Sequence, residues 1–475
     1  MADALTSSSI RKYATEKKIT IAVSLLIFTL TVSNLLYTFQ VGGAFIKELA
    51  SNWGIIIFIM LVATSYATVQ YLLSSFVKLI DSNIGTRTVF SSYFNLMYKT
   101  LKIIQYATGA IFVLMIFQIV LTSHYYVGLV FAAMAISFTV SIMITVPLSY
   151  KFFSWYRLST NKDIAGTILL FGLTSMLMAL WATLIIVNNS GIIFSEKPVE
   201  SGLHLQPKVI TPNIIAQDRT AYMLFQITSI PTELSYVLYW TGTVLLLRNY
   251  SKKLGRFKFW LLISLPLALY LIASIFAIED YKHTNVLFDD LLILSALTAG
   301  AGLFSVNFLI LARRMKQMHN NPIAYYLTIA AYGTMLFIVS ISSPVQLINP
   351  IHGLPYPPFG ALSWCFTAFG IYLYSIGLYF CAIFIAQDTK LRISVREIAV
   401  KESELLDSIG TAQMEQEIQK KVLKIAKEQE ETLQRQTGIE LHDWEQQQEE
   451  QENIQGYMAE VLAEVEKSRK NQEEQ

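Results

Sequence analysis

Between Lys102 and Lys151 the chain reads IIQYATGAIFVLMIFQIVLT (residues 103–122), Ser123-His124-Tyr125, then YVGLVFAAMAISFTVSIMITVPLS (residues 126–149), with no Asp, Glu, Lys or Arg in between. An α-helix rises about 1.5 Å per residue, so each run is about 30 Å or more long, the thickness of a bilayer's hydrocarbon core. Two such runs joined by three residues and bounded by lysines form a hairpin of membrane-spanning helices. The same test, applied outward in both directions, finds spans at 19–39, 54–77, 164–187, 220–247, 257–277, 287–311, 323–343 and 362–386. The expected fold is therefore all-α: a polytopic bundle of ten transmembrane helices within residues 19–386.

Composition agrees. Hydrophobic residues make up 53% of the 475, charged residues 15%, and the mean hydropathy is positive. The charge is divided unevenly: residues 387–475 hold 12 of the 36 Lys and Arg and 21 of the 34 Asp and Glu, leaving the tail acidic and the rest basic. Four regions follow: a polar, basic segment at 1–18, too long-spanned in its sequel to be a cleaved signal, the ten-helix domain at 19–386, a signalling-type helix at 387–436, and a short amphipathic helix with a polar C-terminus at 437–475.

Basic residues orient the bundle. Nineteen Lys and Arg between Arg11 and Lys316 fall on the side of the N-terminus, whereas the opposite side carries Lys47, Lys197, Lys208, Arg219 and Lys282. The positive-inside rule then places both termini in the cytoplasm of a cell-membrane protein. Residues 86–102 carry a helical apolar stripe and are expected to lie in the inner interface before the third span. Cys365 and Cys381 sit 16 residues apart on one span, about 24 Å and too far for a disulfide.

Inside the spans the sequence places one deep acid and no Lys or Arg. Glu233 lies 14 residues from Arg219 and 15 from Arg248, within Ser229-Ile230-Pro231-Thr232-Glu233. Pro231 removes a backbone hydrogen bond and frees a carbonyl one turn earlier, which kinks the helix. A carboxylate at that depth is costly to ionise. Glu233 is thus a candidate proton-, cation- or ligand-responsive group; the alternative is a neutral, hydrogen-bonded Glu that joins helices. Asn34, Gln70, Gln118 and Asn307 are read as packing polar groups, and Gly300 and Gly302 as small residues that allow close helix approach.

On the outer side His124, His204, His283 and His352 share a face with Asp289 and Asp290. Imidazole and carboxylate can bind a transition metal or titrate near neutral pH. No short-range ligand spacing joins them, so no metal site is assigned, and no cofactor or nucleic-acid partner is expected. Nor does the chain hold a Walker loop, a Rossmann glycine pattern, HExxH or a nucleophile elbow, so it is not expected to be an enzyme. His442 invites comparison with a phospho-acceptor histidine, but no proline follows at the usual place and no nucleotide box exists.

The tail is patterned. No Gly or Pro occurs between Leu378 and Ile409, so the tenth span is expected to run unbroken out of the membrane. Leu391, Val395, Ile398, Leu405 and Ile409 then follow coiled-coil spacing, Gly410 marks a phase shift, and Ile418, Val422 and Ile425 continue on a rotated stripe. Such a seam implies a partner helix, for which the same tail in a second subunit is the expected choice, giving a homodimer. A solvated helical tail is the alternative. The run LLDSIGTAQMEQEIQKKVLKIAKEQEETLQRQTGI (405–439) resembles tails of uncharacterised multi-span membrane proteins of ammonia-oxidising archaea. That resemblance covers 35 residues and implies no activity. Two functions remain in view. One is a sensor or scaffold that relays an outer or intramembrane signal through helix ten to a cytoplasmic partner. The other is a proton- or cation-coupled secondary transporter with a 5+5 arrangement of spans.

Overall fold

The computed structural model describes residues 2–41, 52–83, 89–122, 127–159, 162–194, 219–279, 286–317, 321–342, 359–387 and 401–437. Among them there is no strand. The helices are α1 (Ala2–Val41), α2 (Asn52–Asn83), α3 (Val89–Thr122), α4 (Val127–Leu158), α5 (Lys162–Phe194), α6 (Arg219–Leu247), α7 (Arg256–Glu279), α8 (Val286–Gln317), α9 (Asn321–Ile341), α10 (Phe359–Trp364), α11 (Thr367–Gln387) and α12 (Lys401–Thr437). A 3-10 turn and the four-residue helix Ser251–Leu254 connect α6 to α7, and Gly255 between them takes a positive φ of 88, open to glycine because it has no Cβ.

Nine stretches among the described residues are long and apolar enough to cross a membrane: Lys18–Phe39, Trp53–Ser75, Leu96–Leu121, Gly128–Leu158, Ala165–Val187, Arg256–Ser274, Leu291–Gln317, Ile323–Ile341 and Phe359–Ile385. They match nine of the ten spans expected from the sequence. The sixth corresponds to α6, which is helical throughout its 29 residues. Large apolar side chains on the outer helices face outward: Phe28 is 65% exposed, Leu121 78% and Phe257 79%. In water so much contiguous apolar surface is unfavourable; in lipid it is the expected solvent-facing layer.

The bundle has a centre. The Phe359–Ile385 stretch, comprising α10 and α11, is 94% buried, against 33% to 50% for the spans of α1 to α5, α7 and α8. Its helix α11 lies against α9 with backbones nearly touching. A Cβ added at Gly333 would lie 2.2 Å from the Tyr374 nitrogen, one at Gly377 2.5 Å from the Ala330 nitrogen, and one at Gly370 2.7 Å from the Phe337 nitrogen. Glycine at these three positions lets the α9 and α11 backbones approach closely, and without a hydrophobic force between helices in lipid such close packing supplies the attraction. Gly300 serves a different end, since a Cβ there would lie 2.1 Å from the Tyr236 hydroxyl, so it receives a side chain. Nothing lies within 4 Å of the Cβ position at Gly302.

Two expectations are refined. The stripe at 86–102 does not stand apart from the third span: from Val89 onward it is the first part of α3, which has no Gly before Gly109 and no Pro to break it. Lys151, placed by the sequence just beyond the fourth span, lies within the continuous α4 and is 4% exposed. Pro231 is one of three prolines in the interior of described helices, with Pro147 in α4 and Pro266 in α7, whereas Pro322 stands in the first turn of α9.

A buried polar cluster joins α1 to α9 and α10. The Asn34 amide donates to the Val339 carbonyl (2.9 Å) and to Ser342 Oγ (2.9 Å), and its oxygen accepts from Ser363. Ser33 donates to the Phe359 carbonyl. Asn34 is thus the packing polar group its position suggested, with every amide atom used. The chain forms two compact units, Met1–Met414 and Glu415–Gln475, with the boundary within α12.

Candidate functional site

Glu233 is half-buried on α6, two residues after the buried Pro231. Tyr270 of α7 lies within electrostatic reach of its carboxyl, and the Tyr270 and Tyr236 rings are 4.7 Å apart. Around it, Ser235 donates to the Thr232 carbonyl (2.8 Å), and the Thr232 hydroxyl is buried without a hydrogen-bond partner among the described residues. Tyr236 Oη donates to the Ala296 carbonyl on α8 (2.8 Å) across the space that Gly300 leaves open. The acid therefore sits where three helices meet, beside aromatic walls.

From that point a chain of rings crosses the bundle. Tyr236 meets Phe304 edge-on at 5.2 Å, and Phe304 stacks on Tyr239 at 5.3 Å. Tyr239 meets Phe171 of α5 at 6.4 Å, Phe171 meets Phe152 of α4 at 6.1 Å, and Phe152 meets Trp155 edge-on at 5.6 Å. The indole Nε1 of Trp155 then donates to Gln413 Oε1 on α12 at 3.2 Å. Each ring meets the next in a stacked, tilted or edge-to-face contact at a centroid distance typical of aromatic pairs. A branch leads from Phe171 through Phe308 (6.3 Å) to Tyr374 of the central helix (6.1 Å).

At its far end this chain reaches the first part of the tail helix. Leu405, Leu406 and Ile409 are each 3% exposed and Ala412 is fully buried, and all four belong to the core shared with the bundle. The Ser408 and Ser159 hydroxyls are hydrogen-bonded at 2.5 Å. Gly410 lets α12 pass Ile385 near the end of α11; a Cβ there would lie 2.4 Å from the Ile385 side chain. The glycine read as a phase shift is thus a contact point. Lys151 lies beside the same junction, its Nζ 5.9 Å from the Trp155 ring and 5.8 Å from the Tyr379 ring. A cation over two aromatic faces keeps its charge favourably placed away from water.

The other candidates fare differently. Leu405 and Ile409 of the seam are buried within the chain itself. Ile418 (38% exposed) and Ile425 (54%) are exposed, Val422 is intermediate, and Leu391, Val395 and Ile398 lie outside the described residues, as does the junction from α11 to α12. His124, His204, His283 and His352 also lie outside them; Asp289 and Asp290 fall in the first turn of α8. Sequence reasoning missed the junction formed by Trp155, Ser159, Ser408 and Gln413, polar or aromatic groups that belong to no motif. It also passed over Gln105, 1% exposed, whose amide atoms have no partner among the described residues. Comparison with family models, with curated proteins and with solved structures finds no match for this chain.

Proposed function

We propose that the protein is a ten-span cell-membrane sensor or scaffold, with α6 as its sixth span and both termini in the cytoplasm, in which a proton- or ligand-dependent change at Glu233 alters how the tail helix is held and so what a cytoplasmic partner meets. The observation that carries the reading is the run of ring contacts from Tyr270 and Tyr236 to Trp155, ending on Gln413 of α12. Packed rings have discrete arrangements, so a shift of α6 about Pro231 is passed to neighbours rather than absorbed. The nineteen-to-five division of basic residues supports the orientation.

The test places a single reactive thiol at the junction, Ser408→Cys, in native membranes, where Cys365 and Cys381 are buried. Labelling rates are compared with and without Glu233→Gln, and again with Phe171→Ala interrupting the ring chain. The sensor reading expects Glu233→Gln to change the rate several-fold and Phe171→Ala to remove that difference. Identical rates in all backgrounds would sink it.

A half-buried acid beside an intrahelical proline also suits a secondary transporter with a 5+5 arrangement. In that case Glu233→Gln abolishes flux of a proton or cation while junction labelling stays as it was.

A further inference from the structure

In the second unit, α12 carries Ile418-Gln-Lys-Lys-Val-Leu-Lys-Ile-Ala-Lys427, ten residues with four lysines and no acid, flanked by Glu415 and Glu417 before and Glu428 after. At 3.6 residues per turn, Ile425, Ile418, Val422, Ala426 and Leu423 occupy an arc of about 160° in which Gln419 is the one polar residue of the segment, and Lys420, Lys421, Lys424 and Lys427 occupy the opposite arc of about 120°. Ile418 is 38% exposed, Leu423 49% and Ile425 54%, Val422 is intermediate, and all four lysines are exposed.

We propose that this segment docks on an anionic lipid surface, its apolar arc entering the headgroup boundary and its lysines lying among the phosphates. The width of the arc selects lipid over a second copy of the tail. A two-stranded seam buries a narrow stripe of alternating 4-3 positions, here Ile418, Val422 and Ile425, and would leave Leu423 in water. A planar interface takes the whole arc, Leu423 included, and basic residues opposite it are the pattern of interfacial helices. Charge complementarity points the same way: residues 418–427 carry four lysines and no acid, a match for anionic headgroups. The inference goes beyond the sensor reading and does not depend on Glu233.

The full chain is reconstituted in nanodiscs of pure phosphatidylcholine or of phosphatidylcholine with phosphatidylglycerol, with an environment-sensitive fluorophore on Leu423→Cys as the probe. The expected result is blue-shifted emission, quenched by brominated lipid, with phosphatidylglycerol present. Attraction of this kind weakens by roughly fivefold per lysine removed. The joint change Lys420→Gln, Lys421→Gln, Lys424→Gln and Lys427→Gln should therefore lower the inserted-to-free ratio on the order of a hundredfold or more. Raising ionic strength on the chain with all four lysines should lower it as well, which covers the case in which the variant folds poorly. Emission that is the same in both lipid compositions overturns the proposal. So does a blue shift that follows the number of chains per disc instead of lipid charge, the result a tail dimer would give.

Discussion

Replacing Gly333 by alanine puts a methyl group 2.2 Å from the Tyr374 backbone nitrogen, where ordinary contact begins at 3.4 Å. The obstacle is backbone, so no side-chain rotation relieves it, and α9 must move from α11 by about 1.2 Å at that point. A gap of 0.5–1 Å already forfeits a quarter to a half of each dispersion contact along the seam. Overpacking of this sort costs about 1–3 kcal/mol, and the upper end is expected here because Gly370 and Gly377 hold the same two helices just as close. Gly302→Ala is the matched control. It meets nothing within 4 Å and gains about 1 kcal/mol of helix propensity. The two variants should therefore differ by roughly 3 kcal/mol. Reversible unfolding of purified protein in mixed micelles, followed by circular dichroism against the mole fraction of denaturing detergent, measures the difference. Equal midpoints for Gly333→Ala and Gly302→Ala would refute backbone contact as the basis of the α9–α11 pair.

Three further outcomes are expected. Asn34→Leu removes three buried hydrogen bonds, each worth about 0.6 kcal/mol between membrane helices, so the same unfolding assay should show a loss of about 2 kcal/mol, non-additive with Ser363→Ala. Trp155→Phe deletes the bond to Gln413 while keeping the ring contact with Phe152, and should raise protease cleavage of α12 severalfold, as a neutral hydrogen bond worth about 1 kcal/mol implies. Burial raises the Glu415 carboxyl above its ordinary value, so its folded form binds a proton more readily than the unfolded. The contribution is then most favourable below the unfolded value and is lost as pH rises through the folded one; protease protection of α12 should fall over that mildly acidic window, and Glu415→Gln should flatten the dependence.

Much of the domain was legible because a bilayer imposes a length on every helix. Uninterrupted apolar runs bounded by lysine give the same answer in the sequence and in the fold for nine spans, and the tail from Lys401 to Thr437 is helical as its composition suggests. Asn34 was read correctly for a similar reason: a lone amide in an apolar helix has to find partners wherever it lands. Charge alone did not show that Lys151 is buried, held by two aromatic faces from separate helices. The seam was half legible. Its 4-3 spacing identifies a buried stripe, but spacing cannot say what covers it, and Leu405 and Ile409 are covered within their own chain.

By itself, then, the sequence determined the class of fold and the single deep acid, because hydropathy and charge are properties of each residue in its own solvent. Tertiary structure decided which helix is central, that Gly333, Gly370 and Gly377 make the tight pair, and that rings from α4 to α8 line up between Glu233 and the tail. Those are relations between residues tens to hundreds of positions apart, set by close packing among helices that all look alike to lipid, and no local pattern records them.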